Sequence, residues 1–459
     1  MKKLLAVLAL VALSGVYANA EDKGTEFKFG GEIRERFYMN NNPTYLSSNA
    51  MNETHFQQRN QFHVNAISGD KLQAYFNFLH YSIWGQMGSV GTNSSPYGAG
   101  AGVPAGTAVT TANSLQVGEA WLWWKVSDMF STKAGRQAFA FGDGAVASKN
   151  DWGANPYNLE GIMGRFSWDF MDLDVGGAKI YDAGLAFTGT NGTDTELGTY
   201  LVHAGIKNLP DVLKTAEVFV WQINGDAGTG GGTIVPSATA ARGGSWSLTS
   251  YGVSVKGDVA MVDYRGTAVF QSGKQKATAG DVTIGGNMFD VEGGFNFPEF
   301  MKGRVFGNFH MDTGNDGTST TSDGTYQPLL YDTHTYSGGV NVIGWGNLTN
   351  IRFGATLMPG EDTWVGLEGD MFSRTKSTAG AVPSILGAAQ GNFSSLSTNT
   401  TSADAGLGTQ LMLWGKHNYG HGFSMLGQLG YFQLGNYFKP AGSSTGNFMQ
   451  FVAQAQYNF

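Results

Sequence analysis

The chain has 459 residues, 28 Lys plus Arg against 36 Asp plus Glu, and a formal charge of −8. That acidic balance disfavours a nucleic-acid partner, and 13% aromatic residues are too many for a disordered chain. Charged residues are only 14% and glycines number 68, whereas a soluble globular enzyme carries about 25% charged residues and about half that glycine share. There is no cysteine, so no disulfide holds the fold.

Residues 1–20 read MKKLLAVLALVALSGVYANA. A basic start, a short apolar run and a small-residue Ala18-Asn19-Ala20 site predict a cleaved secretory signal peptide. Loss of Lys2 and Lys3, two positive charges, takes the formal charge from −8 to −10. No other apolar run reaches the roughly 18 residues of a helical span.

From 27 onward apolar and polar residues alternate with the period-two pattern of strands. In the first such segment Phe27, Phe29, Ile33 and Phe37 share one face, and Lys28, Glu32, Arg34 and Arg36 the other. Eighteen segments follow this pattern: 27–38, 56–68, 72–84, 115–126, 132–140, 159–168, 173–186, 197–207, 213–223, 246–256, 260–272, 281–297, 302–312, 348–358, 362–372, 407–418, 422–438 and 447–459. The stretch 333–345 also alternates, but a single-chain bacterial barrel needs an even strand number. It is therefore assigned to an external loop. Connections alternate between short ones, such as 69–71, 127–131 and 419–422, and long ones, such as 39–55, 85–114, 140–158, 224–244, 312–347 and 373–406. Short periplasmic turns and long extracellular loops are the mark of a transmembrane antiparallel β-barrel. Residues 21–459 are thus expected to form a single all-β outer-membrane barrel domain with a water-filled bore.

In the last segment, Phe451, Ala453, Ala455, Tyr457 and Phe459 face one way and Gln450, Gln454, Gln456 and Asn458 the other. This end resembles the C-terminal signal of bacterial outer-membrane barrels, which implies recognition by the barrel-assembly machinery through Phe459. The expected surroundings are outer-membrane lipid and lipopolysaccharide. The outward positions do not fix the oligomeric state.

Charge on a lipid face costs about 2–4 kcal/mol at midplane, so strand charges belong in the lumen. The candidate pore-lining and constriction residues are Arg34, Arg36, Arg59, Arg136, Asp263, Arg265, Arg304, Arg352, Glu368 and Asp370, with Asp143 and Asp151 on the third long connection. Two roles fit them: a basic path selecting anions, or a mixed-charge wall that keeps the pore wet. Glu32 and Glu119, also on the inward face, favour the second. The 140–158 connection, with Trp152 and Tyr157 as anchors, is expected to fold into the bore and set its width. Trp121 and Trp123 share a face with Glu119 and Lys125, so they could stack on sugars, although most tryptophans near strand ends belong to interfacial girdles.

Several pieces, Gly135-Arg136-Gln137, Phe141-Gly142-Asp143-Gly144, Asn150-Asp151-Trp152 and Leu159-Glu160-Gly161-Ile162, resemble the alginate-export family of outer-membrane porins. Gln58-Arg59-Asn60-Gln61 and the span from Gly346-Asn347-Leu348 to Met358-Pro359 are similar to two further segments of that family. The resemblance implies an 18-stranded barrel, passive diffusion of anionic or carbohydrate solutes, and Arg59 and Arg136 in the lumen near a constriction. Glu160 and Gln61 depart from the family pattern.

No Gly-x-Ser-x-Gly or His-Glu-x-x-His occurs, and the eight histidines are scattered. No enzyme activity, cofactor or metal is expected. A calcium-loop reading of Asp312 to Gly317 lacks the closing Glu. The function expected is an outer-membrane porin for small hydrophilic solutes. The alternatives are a polysaccharide export channel, or a barrel-anchored surface binding protein or enzyme.

Overall fold

The structure, a computed structural model, describes residues 24–41, 52–84, 115–153, 156–182, 196–225, 245–276, 280–315, 319, 321–328, 330–378, 402–438 and 447–459. The expected signal peptide lies outside them, as do most of the connections 39–55, 85–114, 224–244 and 373–406. The strands are β1 (Glu26–Asn41), β2 (Asn52–Ser68), β3 (Leu72–Ile83), β4 (Leu115–Lys125), β5 (Phe130–Gln137), β6 (Leu159–Ser167), β7 (Met171–Asp182), β8 (Glu196–Ile206), β9 (Leu213–Gly225), β10 (Trp246–Val259), β11 (Val262–Gln275), β12 (Val282–Phe297), β13 (Gly303–Asp312), β14 (Ser322–Asp323), β15 (Thr349–Gly360), β16 (Thr363–Ser373), β17 (Gly406–Gly420), β18 (Phe423–Leu434) and β19 (Phe448–Asn458). β14 is a two-residue piece lying parallel to β12. The other eighteen pair antiparallel with their chain neighbours, and β1 pairs with both β2 and β19, which closes the cylinder.

Each of the eighteen expected segments is a wall strand. The largest difference in extent is at 422–438, where the strand stops at Leu434 and Asn436–Phe438 forms a single 3-10 turn.

The alternation sorts side chains as hydrocarbon solvent demands. Val262, Ile351 and Tyr457 point outward and are exposed, and Phe353 is 55% exposed on the same surface. On the inner surface Asp370 is 1% exposed and Asn40 0%. Surfaces arranged this way would aggregate in water. In a bilayer the oily band meets lipid, and the backbone donors and acceptors of the wall pair from strand to strand around the closed ring, apart from a few bulges.

The seam between β1 and β19 is tight. Gly31 N–H donates to the Phe459 carbonyl at 3.0 Å, and Phe459 N–H to the Gly31 carbonyl at 3.1 Å. A Cβ on Gly31 would stand 2.3 Å from the Gln61 carbonyl oxygen and 2.6 Å from the Phe459 ring. Gly31→Val should therefore lower the yield of closed barrel, read as loss of the heat-modifiable band in membrane fractions. An unchanged yield would show that the seam tolerates a side chain there.

The bore is not simply water. Around β8–β12 the inward residues Leu201, Phe219, Trp221, Leu248, Val269, Ile284 and Met288 are buried against Phe141, Val146, Ala147, Val342, Ile343 and Trp345. Those last six belong to two connections that turn into the barrel, 138–158 and 313–348. The stretch 333–345 is not a strand, but neither does it lie outside. It enters the lumen as a one-turn helix, Thr333–Tyr336, followed by irregular backbone. Gly338 and Asn341 adopt φ of 78° and 56°, which breaks any ladder. The alternating Val340, Val342 and Ile343 bury in a core between the loops, at about 1.5–3 kcal/mol per large apolar side chain.

Candidate functional site: a constriction built by two inward loops

The first loop is held by three arginines of the β1–β2 wall. Arg34, Arg36 and Arg59 all point inward and are nearly fully buried. Arg34 donates to the carbonyls of Asp151 at 2.8 Å and Gly153 at 2.9 Å. Arg59 donates to the same two carbonyls at 3.0 and 3.1 Å, and to both oxygens of Glu32 at 2.7 and 2.9 Å. Its Nη1 also lies 3.0 Å from the Asp151 carboxylate. Arg36 donates to Gln454 Oε1 at 2.9 and 2.6 Å and to the Trp152 carbonyl at 3.0 Å. Three guanidiniums thus satisfy the carbonyls of one loop turn that would otherwise be buried unpaired.

The two loops are joined to each other. Ser148 N–H donates to the Leu330 carbonyl at 2.6 Å, and Asp332 N–H to the Gly144 carbonyl at 2.8 Å. Trp152 is sandwiched between the Arg36 guanidinium, 3.8 Å from its ring centre, and the His334 imidazole, stacked at 3.5 Å. The second loop has its own wall anchors. Arg352 donates to the Thr335 carbonyl at 2.5 Å, and Arg265 hydrogen-bonds the Tyr336 hydroxyl. Tyr336 in turn donates to the Asp143 carbonyl at 2.9 Å.

Asp312 closes the base of the second loop. It accepts from the backbone N–H of Gly346 at 2.8 Å and Leu348 at 2.7 Å. This carboxylate is fully buried and committed to the loop, so it is not an open calcium ligand. The rest of the calcium-loop stretch, 316–318, lies outside the described residues.

His334 sits in the second loop with Arg36, Arg352, Trp152, Gln428, Asn341 and Asp332 around it. Burial, helped by the two arginines, holds its imidazole well below the ordinary histidine value. The released loop would bind a proton below about pH 6.5 and the docked loop would not. Docking is therefore strongest above that pH and weakens as pH falls, by at most about 1.4 kcal/mol per unit. We expect open-channel noise to rise between pH 6.5 and 5 in planar bilayers and to become pH-independent there in His334→Gln. Identical pH dependence in the two proteins would remove His334 as the cause.

On the short-turn side of the loops a cavity of about 740 Å³ opens between β9–β13 and β15–β18. Its cations, Lys214, Lys256, Arg265, Arg304 and Arg352, equal in number its acids, Asp143, Asp258, Asp263, Glu292 and Glu368. The charges are paired across strands. Arg304 donates to Asp263 at 2.9 and 2.5 Å and to Glu292 at 2.8 Å. Arg265 donates to Glu292 at 2.7 Å, and Arg352 to Asp370 at 2.8 Å. Lys256 lies 3.4 Å from Asp143, and Trp414 donates to Glu368 at 3.1 Å.

The expected site residues thus fall into two groups inside and one outlier. Arg34, Arg36, Arg59 and Asp151 meet at the first loop. Asp143, Asp263, Arg265, Arg304, Arg352, Glu368 and Asp370 line or brace the second side. Arg136 is not in the lumen. It pairs in register with Ala120, whose neighbours on that face, Leu122 and Trp124, are exposed outside. The inward residues of β5 are Lys133, Gly135 and Gln137. A register shift between Asn77 and Phe78 on β3, opposite Gly118, sets which residues of β4 face in, and a one-residue slip exchanges the two faces of a strand.

Trp121 and Trp123 do face inward. Trp121 stacks on Tyr75 at 5.1 Å beneath the Lys133 ammonium at 4.0 Å. Reading the sequence missed Lys256 and Glu292, whose inward parity within 246–256 and 281–297 was visible. It also missed His334 and Tyr336, which only the loop path brings to the wall.

Residues 25–175 match the model of a family described as alginate export. No curated protein sequence matches the chain. The structure is similar to that of Acinetobacter baumannii OccAB1, with a TM-score of 0.58, 10% identity, and 94% of this chain and 96% of that one covered. It is also similar to Pseudomonas aeruginosa OccK8 (OprE), with a TM-score of 0.56, 8% identity and coverage of 95% and 98%. A BenF-like porin from Pseudomonas fluorescens gives 0.55, 10%, 95% and 98%. What these likenesses establish is the architecture: a closed eighteen-strand antiparallel barrel of the outer-membrane porin type, whose first third matches the alginate-export family.

Proposed function

We propose that the protein is a passive diffusion channel of a bacterial outer membrane for small hydrophilic solutes. The observation that carries this reading is the pair of inward loops above a charge-balanced cavity. The loops narrow an eighteen-strand bore that holds no separate plug domain among the described residues, and the cavity beneath them sets paired charges beside a few apolar side chains, Phe306, Met412 and Leu426. Its arginines are each matched by a carboxylate or a carbonyl, so the lumen is a wet mixed-charge surface rather than a basic track. A balanced wall suits small neutral or weakly charged solutes, and among the described residues it gives no continuous run of unmatched cations to thread a polyanion.

Reconstituted protein should conduct in planar bilayers with weak preference for either ion, and liposomes holding it should swell in monosaccharides faster than in trisaccharides. A protein that never conducts would end the channel reading and favour a barrel serving as a surface anchor. The match of residues 25–175 to the alginate-export family supports polysaccharide export as the second reading. Strong anion selectivity, lost when Arg304 and Arg352 are both replaced by Ala, would favour it over the first.

A further inference from the structure

A second cavity, of about 250 Å³, opens on the short-turn side of the first loop, between the inner faces of β4–β8 and the loop's entry at 138–141. It shares no lining residue with the larger cavity. Trp123, Lys133, Met163, Arg165, Asp174 and His203 supply its main side chains. One cross-strand row fixes the polar half. Arg165 on β6 stands opposite Asp174 on β7, and Asp174 opposite His203 on β8. Arg165 donates to the two Asp174 oxygens, from Nε at 2.6 Å and from Nη2 at 2.8 Å, and His203 Nδ1 lies 3.2 Å from Asp174 Oδ2. Strand spacing holds this planar pair in place. Arg165 Nη1 has no partner among the described residues, and Asp174 Oδ1 accepts only from Nε. A donor and an acceptor thus stand side by side, unspent.

The next row gives the apolar half. Trp123 on β4 stands opposite Lys133 on β5, and Lys133 opposite Met163 on β6. Trp121 already carries Tyr75 and the Lys133 ammonium. Trp123 differs: among the described residues no other ring and no cation stacks on its indole. The cations of the cavity are spent. Arg165 faces Asp174, His203 lies between Asp174 and Glu217 at 3.2 and 3.6 Å, and the Lys133 ammonium sits 4.0 Å over the Trp121 ring, whose N–H donates to Glu119 at 3.1 Å.

We propose that this cavity is a binding site for one neutral pyranose ring, with its C–H face on Trp123 and Met163 and two adjacent hydroxyls bridging Asp174 Oδ1 and Arg165 Nη1. A hydroxyl donates and accepts at once, which is what that pair of atoms asks for. A carboxylate solute finds no unmatched cation here and meets the Asp174 charge instead, and an acid without hydroxyls gives Asp174 no donor. The volume lies below the roughly 300–1,000 Å³ of sites for drug-sized ligands, so it suits a single six-membered ring. As a resting place for a permeating solute the cavity rests on the channel reading above, whereas its occupancy is measured without flux.

Saturation-transfer NMR of methyl α-glucoside with the full-length protein tests this, in a zwitterionic detergent because sugar headgroups would fill the site. The ring C–H protons should receive saturation, with a millimolar dissociation constant that suits a solute able to leave. Trp123→Ala should weaken binding about tenfold or more. Trp123→Phe should recover part of it, which separates a lost stacking face from a lost fold, and heat-modifiable migration checks the folding of each variant. Trp414→Ala, in the larger cavity, should change nothing, and sorbitol, which has the hydroxyls without the ring, should bind more weakly than the glucoside. No transfer to the glucoside overturns the proposal, as does equal binding by folded Trp123→Ala. Loss of binding in Trp414→Ala overturns it by moving the site to the larger cavity. Glucuronate binding more tightly than the glucoside overturns the neutral assignment. A protein that conducts and does not bind the glucoside fails this proposal alone, and one that binds it through Trp123 and never conducts keeps the site and loses the channel reading.

Discussion

Arg59→Met should open the channel, raising single-channel conductance roughly twofold or more by freeing the loop that narrows the bore. Arg59 is 2% exposed and makes four hydrogen bonds, two to Glu32 and one each to the carbonyls of Asp151 and Gly153. Methionine keeps much of its volume and none of its donors. Breaking one side of such a buried pair costs about 3–5 kcal/mol, because the abandoned carboxylate stays out of water. Among the described residues Glu32 would keep only Gln456 at 3.1 Å and a distant Arg34 at 3.9 Å. The wall strands themselves are held by their ladders, so the loss falls on the loop. The double variant Arg59→Met with Glu32→Gln separates the causes. It removes the stranded charge and leaves the loop unanchored, so conductance should stay high while thermal stability recovers. A single variant with wild-type conductance would mean that Arg34 and Arg36 suffice, and that Arg59 does not set the width.

Trp345→Ala should loosen the second loop and leave the barrel standing. The Trp345 ring is fully buried, stacked on His310 at 4.2 Å and on Tyr331 at 4.3 Å, with Tyr336 edge-on at 5.5 Å. Truncating so large a buried side chain costs about 3–5 kcal/mol. Tyr336 links this cluster to Arg265 and to the Asp143 carbonyl, so the change reaches both loops. We expect protease cleavage within 330–347, a larger and noisier conductance, and unchanged heat-modifiable migration of the barrel. Equal protease resistance in variant and wild type would show that the loop is held by its wall anchors alone. Trp345→Phe, which keeps a ring between His310 and Tyr331, should fall between the two.

The wall was legible in the sequence because its rule is local. Alternation in segments such as 302–312 and 348–358 names the strand and its two faces together, and the faces of Arg304 and Arg352 follow from their neighbours. Arg136 escaped that rule. Lys133, Arg136 and Gln137 do not alternate, and Gly135 takes a φ of 127° where the strand bends, so the face was undetermined until the register was known. The two loops were legible only in part. The aromatic anchors of 140–158 pointed inward by their chemistry. The alternation of 333–345 was genuine too, but its partner surface was the other loop, a contact that no local pattern encodes. Trp152 against His334 joins residues 182 positions apart, through space that exists only once the ring has closed.

That closure has a cost in vulnerability. β1 and β19 are mates at opposite ends of the described chain, and their register runs from Glu32 with Asn458 to Asn41 with Met449. Until the two meet, the growing sheet carries a pair of bare margins, each a row of unanswered amides able to recruit any passing strand. No earlier pairing can shelter them, because every other hairpin lies between. In water an unclosed sheet would therefore offer both margins to other chains, and it is at this one junction that fibrous by-products would start.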